Sequence, residues 1–298
     1  MTQHDSTVDI TNCANCGAAL KTEFCGECGQ SRDDLRRPFW SLATDTLDGL
    51  FSWDGRLLTT LRQLYTRPGK VARDYADGKR TSFTPPVRLY LIVSLVFFTA
   101  MTVSGVRIIA VDVSMTDTGP GINVEMFQPR GSNEPLRLSE EERADFIETG
   151  LEYGIARHWI DRAIYTAEHP REIEDKAAAA ANQALILMVV VFILMNMALH
   201  PRTRIIDHII HALYYHAAFL PVAGAVLIAT VLIGPPTAVL FTLVTVGMLI
   251  SLSALYLFDR GFYGSSWWGA ILRALAMSAA YSIATGFLAL GMIFLATM

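Results

Sequence analysis

Five long apolar runs constrain the fold of this chain more than any other feature. Each comes close to or exceeds the roughly 20 residues that a helix needs to cross a bilayer. The runs are residues 89–106, 177–199, 217–234, 238–258 and 269–298. Buried helices of a soluble protein are the alternative, but five such runs favour membrane spans, and only 17% of the residues are charged. The sequence therefore predicts an all-α polytopic membrane protein.

The charges of the connecting segments predict how the spans are oriented. Residues 56–88 carry eight Lys or Arg against two Asp, whereas residues 107–176 carry eight basic and fifteen acidic residues. Basic connections stay on the cytoplasmic side of a membrane. Residues 1–12 are polar and lack the apolar segment of a secretory signal. We expect a bacterial inner-membrane protein with its N-terminus in the cytoplasm, an acidic insertion outside and its C-terminus outside.

All four cysteines lie in the stretch "CANCGAALKTEFCGEC", residues 13–28. Two Cys-x2-Cys pairs can place four thiolates around one ion, which makes a closed tetrahedral site of structural type. Cytosolic thiols are kept reduced, which argues against disulfides. The segment has a single lysine and no basic stripe, so we expect no nucleic-acid binding. The predicted Zn²⁺ ligands are Cys13, Cys16, Cys25 and Cys28; an iron–sulfur or redox site and reactive thiols are the alternatives.

A basic amphipathic neck is predicted over residues 36–86. Apolar side chains recur at helical spacing in residues 39–51, 57–65 and 71–75, and prolines separate these segments from the first span. Such helices suit the headgroup region of a membrane. Packing of the same helices on the membrane bundle is the alternative, and both can hold. The candidate headgroup contacts are Arg67, Lys70, Lys79, Arg80 and Arg88.

The neck resembles the signature of a bacterial membrane protein family catalogued as domain of unknown function 3667. The stretch that carries the resemblance is "YTRPGKVARDYADGKRTSFTPPVRLYLIVSLVFF", residues 65–98. Its elements are "RPG" at 67–69, "GKR" at 78–80, the Pro-x-x-x-Tyr spacing at 86–90 and, upstream, "FCGECGQ" at 24–30. The resemblance covers residues 13–98 well. It implies an N-terminal zinc ribbon, this neck and a hydrophobic region, and it implies no activity.

A cluster of ionisable residues lies in "HPRTRIIDHIIHALYYHAAF", residues 200–219. In a helix, the histidines of this segment fall on one broad face where a span enters the membrane. Such a face could hold a metal, a haem or a lipid phosphate. Interfacial histidines bonded to carbonyls and headgroups are the alternative. The candidate residues of this second site are His208, His211, His216 and Asp207.

The acidic insertion, at about residues 107–176, contains its own structural signals. Residues 107–116 are strand-like, and a Gly-Pro-Gly sequence follows them. Ser139 and Glu142 make a capping box that begins an amphipathic helix reaching about residue 167. Pro170 begins another helix that is expected to run without interruption into the second span.

No nucleophile motif and no phosphate-binding loop occurs in the sequence, so no catalytic residue is assigned. The expected organisation is a cytoplasmic ribbon (1–31), the neck (36–86) and a five-helix membrane domain (87–298). We interpret the chain as a protein-interaction, scaffolding or regulatory module whose partners are the bilayer and another membrane or cytoplasmic protein. The first alternative is a transporter or lipid-handling enzyme that uses the histidine cluster with Arg202 and Arg204. The second alternative is a redox or metal sensor.

Overall fold

The computed structural model describes residues 12–32, 55–104, 106–116, 119–129, 138–233 and 237–296. Nine helices and one β-hairpin are present within these ranges. The helices are α1 (Arg56–Thr66), α2 (Lys70–Ala76), α3 (Pro86–Ser104), α4 (Glu140–Glu152), α5 (Arg157–Glu168), α6 (Pro170–Leu199), α7 (Ile205–Ile233), α8 (Thr237–Tyr263) and α9 (Trp267–Ala296). The strands are β1 (Val106–Thr116) and β2 (Gly119–Pro129). The predicted helical class is confirmed, and the strand expected over residues 107–116 forms the first strand of the hairpin.

The chain divides into two compact units. Unit 1 comprises the described residues of Met1–Val96, Phe192–Pro221 and Leu249–Ser278. Unit 2 comprises those of Phe97–Val191, Val222–Met248 and Ala279–Met298. Unit 1 therefore contains the cysteines, the neck helices and the histidine-rich segment, and unit 2 contains the hairpin with α4 and α5.

Three helical stretches of the described chain are long and apolar enough to cross a membrane: Pro86–Ser104, Ile205–Ala229 and Trp267–Leu288. Membrane-type helices are thus confirmed at three of the predicted runs. Helices α6 and α8 occupy the other two, and the apolar stretch described within α6 is the shorter Ile186–Leu199. The count of five spans stays a prediction. Helix α7 begins twelve residues before the predicted start at 217, so most of the histidine-rich segment belongs to the same helix as the span.

The neck forms the two helices predicted after residue 55, and the predicted helix over 39–51 lies outside the described residues. In unit 1 the neck packs on α7 through tyrosine hydroxyls. Tyr65 donates a hydrogen bond to the carbonyl of Ala218 at 2.8 Å. Tyr214, which is completely buried, donates to the carbonyl of Thr84 at 2.7 Å. The neck therefore packs on α7, as the alternative to a lipid-facing neck predicts.

The "RPG" turn between α1 and α2 lies directly against the backbone of α8. Gly69 has φ +75°, and a Cβ atom added to it would lie 2.4 Å from the carbonyl oxygen of Phe258. A Cβ added to Gly261 would lie 2.0 Å from the carbonyl oxygen of Pro68. Real Cβ atoms do not approach backbone so closely, so two glycines permit this contact. The turn signal in the sequence is thus also a packing site.

Unit 2 contains the described residues of the acidic insertion. Strands β1 and β2 pair antiparallel, from Val106 opposite Pro129 to Thr116 opposite Gly119. The predicted capping box is confirmed, because Ser139 accepts from the Glu142 N–H and the Glu142 carboxylate accepts from the Ser139 N–H. The N–H of Ser139, and after it the Ser139 hydroxyl, donate to the Glu142 carboxylate and lower the pKa of that carboxyl.

The single amphipathic helix expected up to residue 167 is two helices, so that prediction was wrong in detail. Helix α4 ends at Glu152, and Ala156 is extended (ψ 138°) before α5 begins. The turn lets the two helices pack against each other in a small apolar core. This core consists of Phe146, Ile160, Ile164 and Ala167. The next prediction is confirmed, because α6 runs from Pro170 to Leu199 without interruption.

Candidate metal centre

The two cysteine knuckles are closed by the same hydrogen bonds. In each, the N–H of the first cysteine donates to the carbonyl five residues later, and the N–H of the glycine donates to the carbonyl of the first cysteine. These bonds are 2.8 to 2.9 Å long. The glycines Gly17 and Gly29 have φ +79° and +73°, which lets the chain turn back at that point. The Cys-x2-Cys-Gly spacing therefore gives the same backbone turn in both knuckles.

The four thiols converge on one point. The Sγ atoms of Cys13 and Cys28 are 3.6 Å apart, those of Cys16 and Cys25 are 3.5 Å apart, and all four lie within 4.8 Å of one another. A zinc tetrathiolate with Zn–S bonds of about 2.3 Å has S–S edges of about 3.8 Å, so the donor set fits a tetrahedral ion. All four cysteines are free thiols. In the described part of the chain, no second group of three or more His, Cys, Asp or Glu side chains is placed to hold an ion.

The electrostatics of the thiols favour deprotonation on one side of the cluster. Backbone N–H groups of Cys28 and Glu27 lower the pKa of the Cys25 thiol to about 7. A backbone hydrogen bond at Ala18 lowers the pKa of the Cys16 thiol. The adjacent Cys25 sulfur raises it, and the pKa of Cys16 is about 12. Two neighbouring sulfurs thus compete for one proton. A bound cation removes this competition, because metal ligation requires the thiolate form of each cysteine.

Both knuckles are fastened to the "GKR" turn of the neck by amide side chains. Gln30, which is 4% exposed, donates to the carbonyl of Gly78 at 2.8 Å. The side-chain oxygen of the same amide accepts from the Arg80 N–H at 3.1 Å and from the Thr81 N–H and hydroxyl at 3.2 Å. In the first knuckle, Asn15 accepts from the N–H and hydroxyl of Ser82. The amides therefore bond the neck backbone over residues 78–82, and this contact could not be foreseen from residue spacing.

The predicted headgroup residues have different surroundings in unit 1. Arg67 and Lys70 are exposed, and Lys70 lies 3.4 Å from the buried carboxylate of Asp74. Lys79 donates to the same carboxylate at 3.1 Å, so it also holds the turn.

The two remaining arginines of that set lie further inside. The guanidinium of Arg80 lies over the ring of Tyr75, 5.8 Å from its centroid. Arg88 is buried, with 7% of its surface exposed. Arg80 is half-buried, and the headgroup contacts predicted for the five residues stay a prediction.

The histidine-rich segment is buried and packed with aromatic rings. His208 is hydrogen-bonded through Nδ1 to the hydroxyl of Tyr263 at 2.7 Å, and His216 through Nδ1 to the carbonyl of Ala212 at 2.7 Å. Asp207 accepts two hydrogen bonds from the guanidinium of Arg204. These partners are protein groups, so the second metal site predicted at His208, His211, His216 and Asp207 gains no support from the contacts and stays a prediction.

Two polar residues of α8 were missed by sequence reasoning. Asp259 accepts a hydrogen bond from His200 at 2.7 Å, and Tyr263 stacks on the same imidazole with ring centroids 3.7 Å apart. Burial raises the pKa of the Tyr263 hydroxyl. The available signal was a lone carboxylate at the end of an apolar run, because such charges need partners inside the bundle. Nothing local indicates that the partner is His200, 59 positions earlier.

These features define the class: a largely helical protein with membrane-type helices and a four-cysteine cluster able to bind a metal ion. Among protein families, the one described as "Protein of unknown function (DUF3667)" matches residues 54–98. The family resemblance predicted from the neck is therefore confirmed over that segment, which includes the "RPG" and "GKR" turns described above. No curated protein and no solved structure matches the chain.

Proposed function

We propose that this chain is a membrane-anchored zinc-ribbon protein that acts as a protein-interaction, scaffolding or regulatory module. The observation that carries the proposal is the docking of the cysteine knuckles on the neck through Gln30 and Asn15. A freely tethered ribbon would not need a buried amide that makes four hydrogen bonds to the neck. Docking in this way presents the remaining ribbon surface in a fixed orientation to a partner.

Zinc is the ion we propose for the cysteine centre. Four thiolates close the coordination sphere, which suits a structural zinc ion and leaves no position for a substrate. Residues 12–32 contribute few buried apolar side chains apart from Cys13 and Cys25. Metal binding would therefore supply most of the free energy that folds the ribbon. The ion in this proposal has a structural role, and the partner is bound by the protein surface around it.

The partner surface we propose centres on Phe24. This side chain is 56% exposed, although it precedes a buried metal ligand, and Glu23 and Glu27 beside it are also exposed. Exposed aromatic residues on rigid supports are frequent anchors of protein interfaces. The chemistry fits a partner that offers an apolar pocket with basic residues at its edge.

We place the module at the cytoplasmic face of the bacterial inner membrane, with the C-terminus outside. Two features of unit 1 support a membrane surface there. Arg67 and Lys70 of the neck are exposed. Trp267 and Trp268, at the start of α9, are stacked and 51% and 61% exposed, as in the aromatic belts of membrane proteins.

The proposal is tested by crosslinking in native membranes, followed by purification and mass spectrometry. The full-length protein is compared with Phe24→Ser and with Lys21→Ser, a matched exposed control in the same ribbon. We expect one crosslinked protein to be lost in Phe24→Ser and kept in Lys21→Ser. Metal content measured on the same samples should be one zinc ion per chain in all three. Equal crosslinking of wild type and Phe24→Ser would contradict the proposed surface, and iron in place of zinc would contradict the proposed ion.

A further inference from the structure

Unit 1 contains a small internal cavity bounded by segments of α6, α7, α8 and α9. Most of its wall is apolar, and it includes Phe192, Leu255 and Met277. The space open to the centre of a water-sized sphere is about 10 Å³, which is close to what one water molecule requires. Its lining residues with polar groups are Asn196, His211, Tyr215, Asp259 and Arg273. A cavity of this size, with these groups in an apolar wall, is a small polar site.

Two of the lining side chains are buried and have polar atoms that form no hydrogen bond to any described residue. His211 is 2% exposed, and neither of its ring nitrogens is hydrogen-bonded. Asp259 is 7% exposed; its Oδ1 is bonded to His200, while its Oδ2 has no hydrogen bond. Burying such groups without a partner is unfavourable, and in proteins a bound water often supplies the missing bonds. Both groups therefore indicate a ligand between them.

The chemistry of the lining identifies that ligand. A zinc ion would find only His211 and Asp259 among the thiolate, imidazole and carboxylate ligands that it takes, fewer than the three that protein sites ordinarily provide. An anion would be repelled by Asp259, and the volume excludes an organic molecule. A carboxylate oxygen and an unprotonated imidazole nitrogen are both acceptors, so the ligand must donate two hydrogen bonds. Water is the small molecule that does so.

We propose that one ordered water in this cavity joins Asp259 Oδ2 to His211, completing a buried chain of hydrogen bonds from His200 through Asp259 to His211. His200 donates to Oδ1 of Asp259 at 2.7 Å, so the carboxylate has a hydrogen-bond partner on each side once the water is present. The water donates one hydrogen bond to Oδ2 of Asp259 and the other to a ring nitrogen of His211, so each group gains the partner that it lacks.

Other ionisable groups surround this chain of hydrogen bonds. Arg273 of α9 lies 4.0 Å from Oδ2 of Asp259, which stabilises the charged carboxylate that the water would bond. On the other side, the hydroxyl of Tyr263 bonds to His208. Tyr215 of α7 also lines the cavity. The chain uses no cysteine and no ribbon residue, so it stands apart from the metal centre.

The first test is made on the wild-type protein. A high-resolution density map should show one ordered water within hydrogen-bond distance of both Asp259 Oδ2 and a ring nitrogen of His211. A dry cavity, or a water that reaches one of the two groups and not the other, would overturn the proposal. Because this test needs no variant, it decides the question of the water even if the substitutions below impair folding.

The second test is a double-substitution cycle on the free energy of unfolding. We expect the losses caused by Asp259→Asn and by His211→Phe, which keeps a planar ring but has no nitrogen, to be non-additive, because either change removes one end of the water bridge. Asp207→Asn is the matched control, because Asp207 is a buried carboxylate already bonded to Arg204; its loss should add to that of His211→Phe. Additive losses for Asp259→Asn and His211→Phe would show that no water joins the two groups. Equal non-additivity in the control pair would show a general loss of packing and overturn the bridge.

Discussion

The cysteine centre and the cavity beside His211 are two polar sites of unit 1 that the chain assembles in opposite ways. The cysteine centre takes its ligands from residues 13–28, and two repeated turns place the thiols. The cavity takes its polar groups from four helices, between Asn196 and Arg273. The first site requires little beyond its own backbone and an ion. The second exists only when the helices are packed.

This difference predicts how each site fails. Loss of the proposed zinc ion should unfold residues 12–32, because so short a segment has little core of its own. Loss of helix packing separates Asp259 from His200 and His211 and leaves the cysteines untouched. The sites should therefore be separable by substitution, and the four experiments below are ordered by the size of the expected effect.

The largest effect is expected from removing the metal. Cys25→Ser, or a strong chelator, should unfold residues 12–32, since structural zinc sites contribute on the order of 10 kcal/mol. Hydrogen exchange should increase in the ribbon and also at residues 78–82, where Gln30 and Asn15 bond the neck. The helices that line the cavity should keep their protection. Increased exchange in α7 and α8 as well would show that the two sites are not independent.

The next effect concerns the contact between the "RPG" turn and α8. Gly261→Ala places a Cβ 2.0 Å from the carbonyl oxygen of Pro68, and overpacking against backbone costs about 3 kcal/mol, at the upper end of the range for added methyl groups. We expect a lower melting temperature and a weakened hydrogen bond between His200 and Asp259, which is two residues away. Metal content should be unchanged. Gly247→Ala on the same helix is the matched control, because a Cβ there would meet nothing within 4 Å. Equal melting temperatures for the two variants would refute the close approach.

The contrast between a site built from neighbouring residues and a site built from distant ones also explains what the sequence could predict. The knuckles, the helices after Gly55 and the capping box at Ser139 rest on signals a few residues apart, and all were predictable. The partners of Gln30 and Asp259 are 48 and 59 positions away, and no periodicity or spacing encodes such pairs. The span was expected to begin at 217 and not at 205 because His and Asp lower hydropathy, although their side chains are buried by tertiary packing.

A smaller effect is expected when the docking amide is removed. Gln30→Ala leaves the N–H groups of Arg80 and Thr81 and the carbonyl of Gly78 without their partner, which costs roughly 1–3 kcal/mol. Metal should still bind, because the backbone carbonyl of Gln30 that closes the knuckle is retained. Hydrogen exchange should increase at residues 78–82 relative to Lys21→Ala. Loss of metal from Gln30→Ala would mean that docking and metal binding are one event.

The smallest effect is a change in how metal affinity depends on pH. Above the Cys25 pKa of about 7, that thiol is already ionised and gives up no proton when metal binds. Below it, binding must also displace the Cys25 proton, so affinity should fall more steeply as the pH decreases. Competition with a chromophoric chelator between about pH 6 and pH 8 measures this slope. A slope that stays constant through pH 7 would show that the N–H groups of Glu27 and Cys28 do not favour the Cys25 thiolate. In that case the ion would organise the thiolates by itself, and the knuckle backbone would supply position without supplying charge stabilisation.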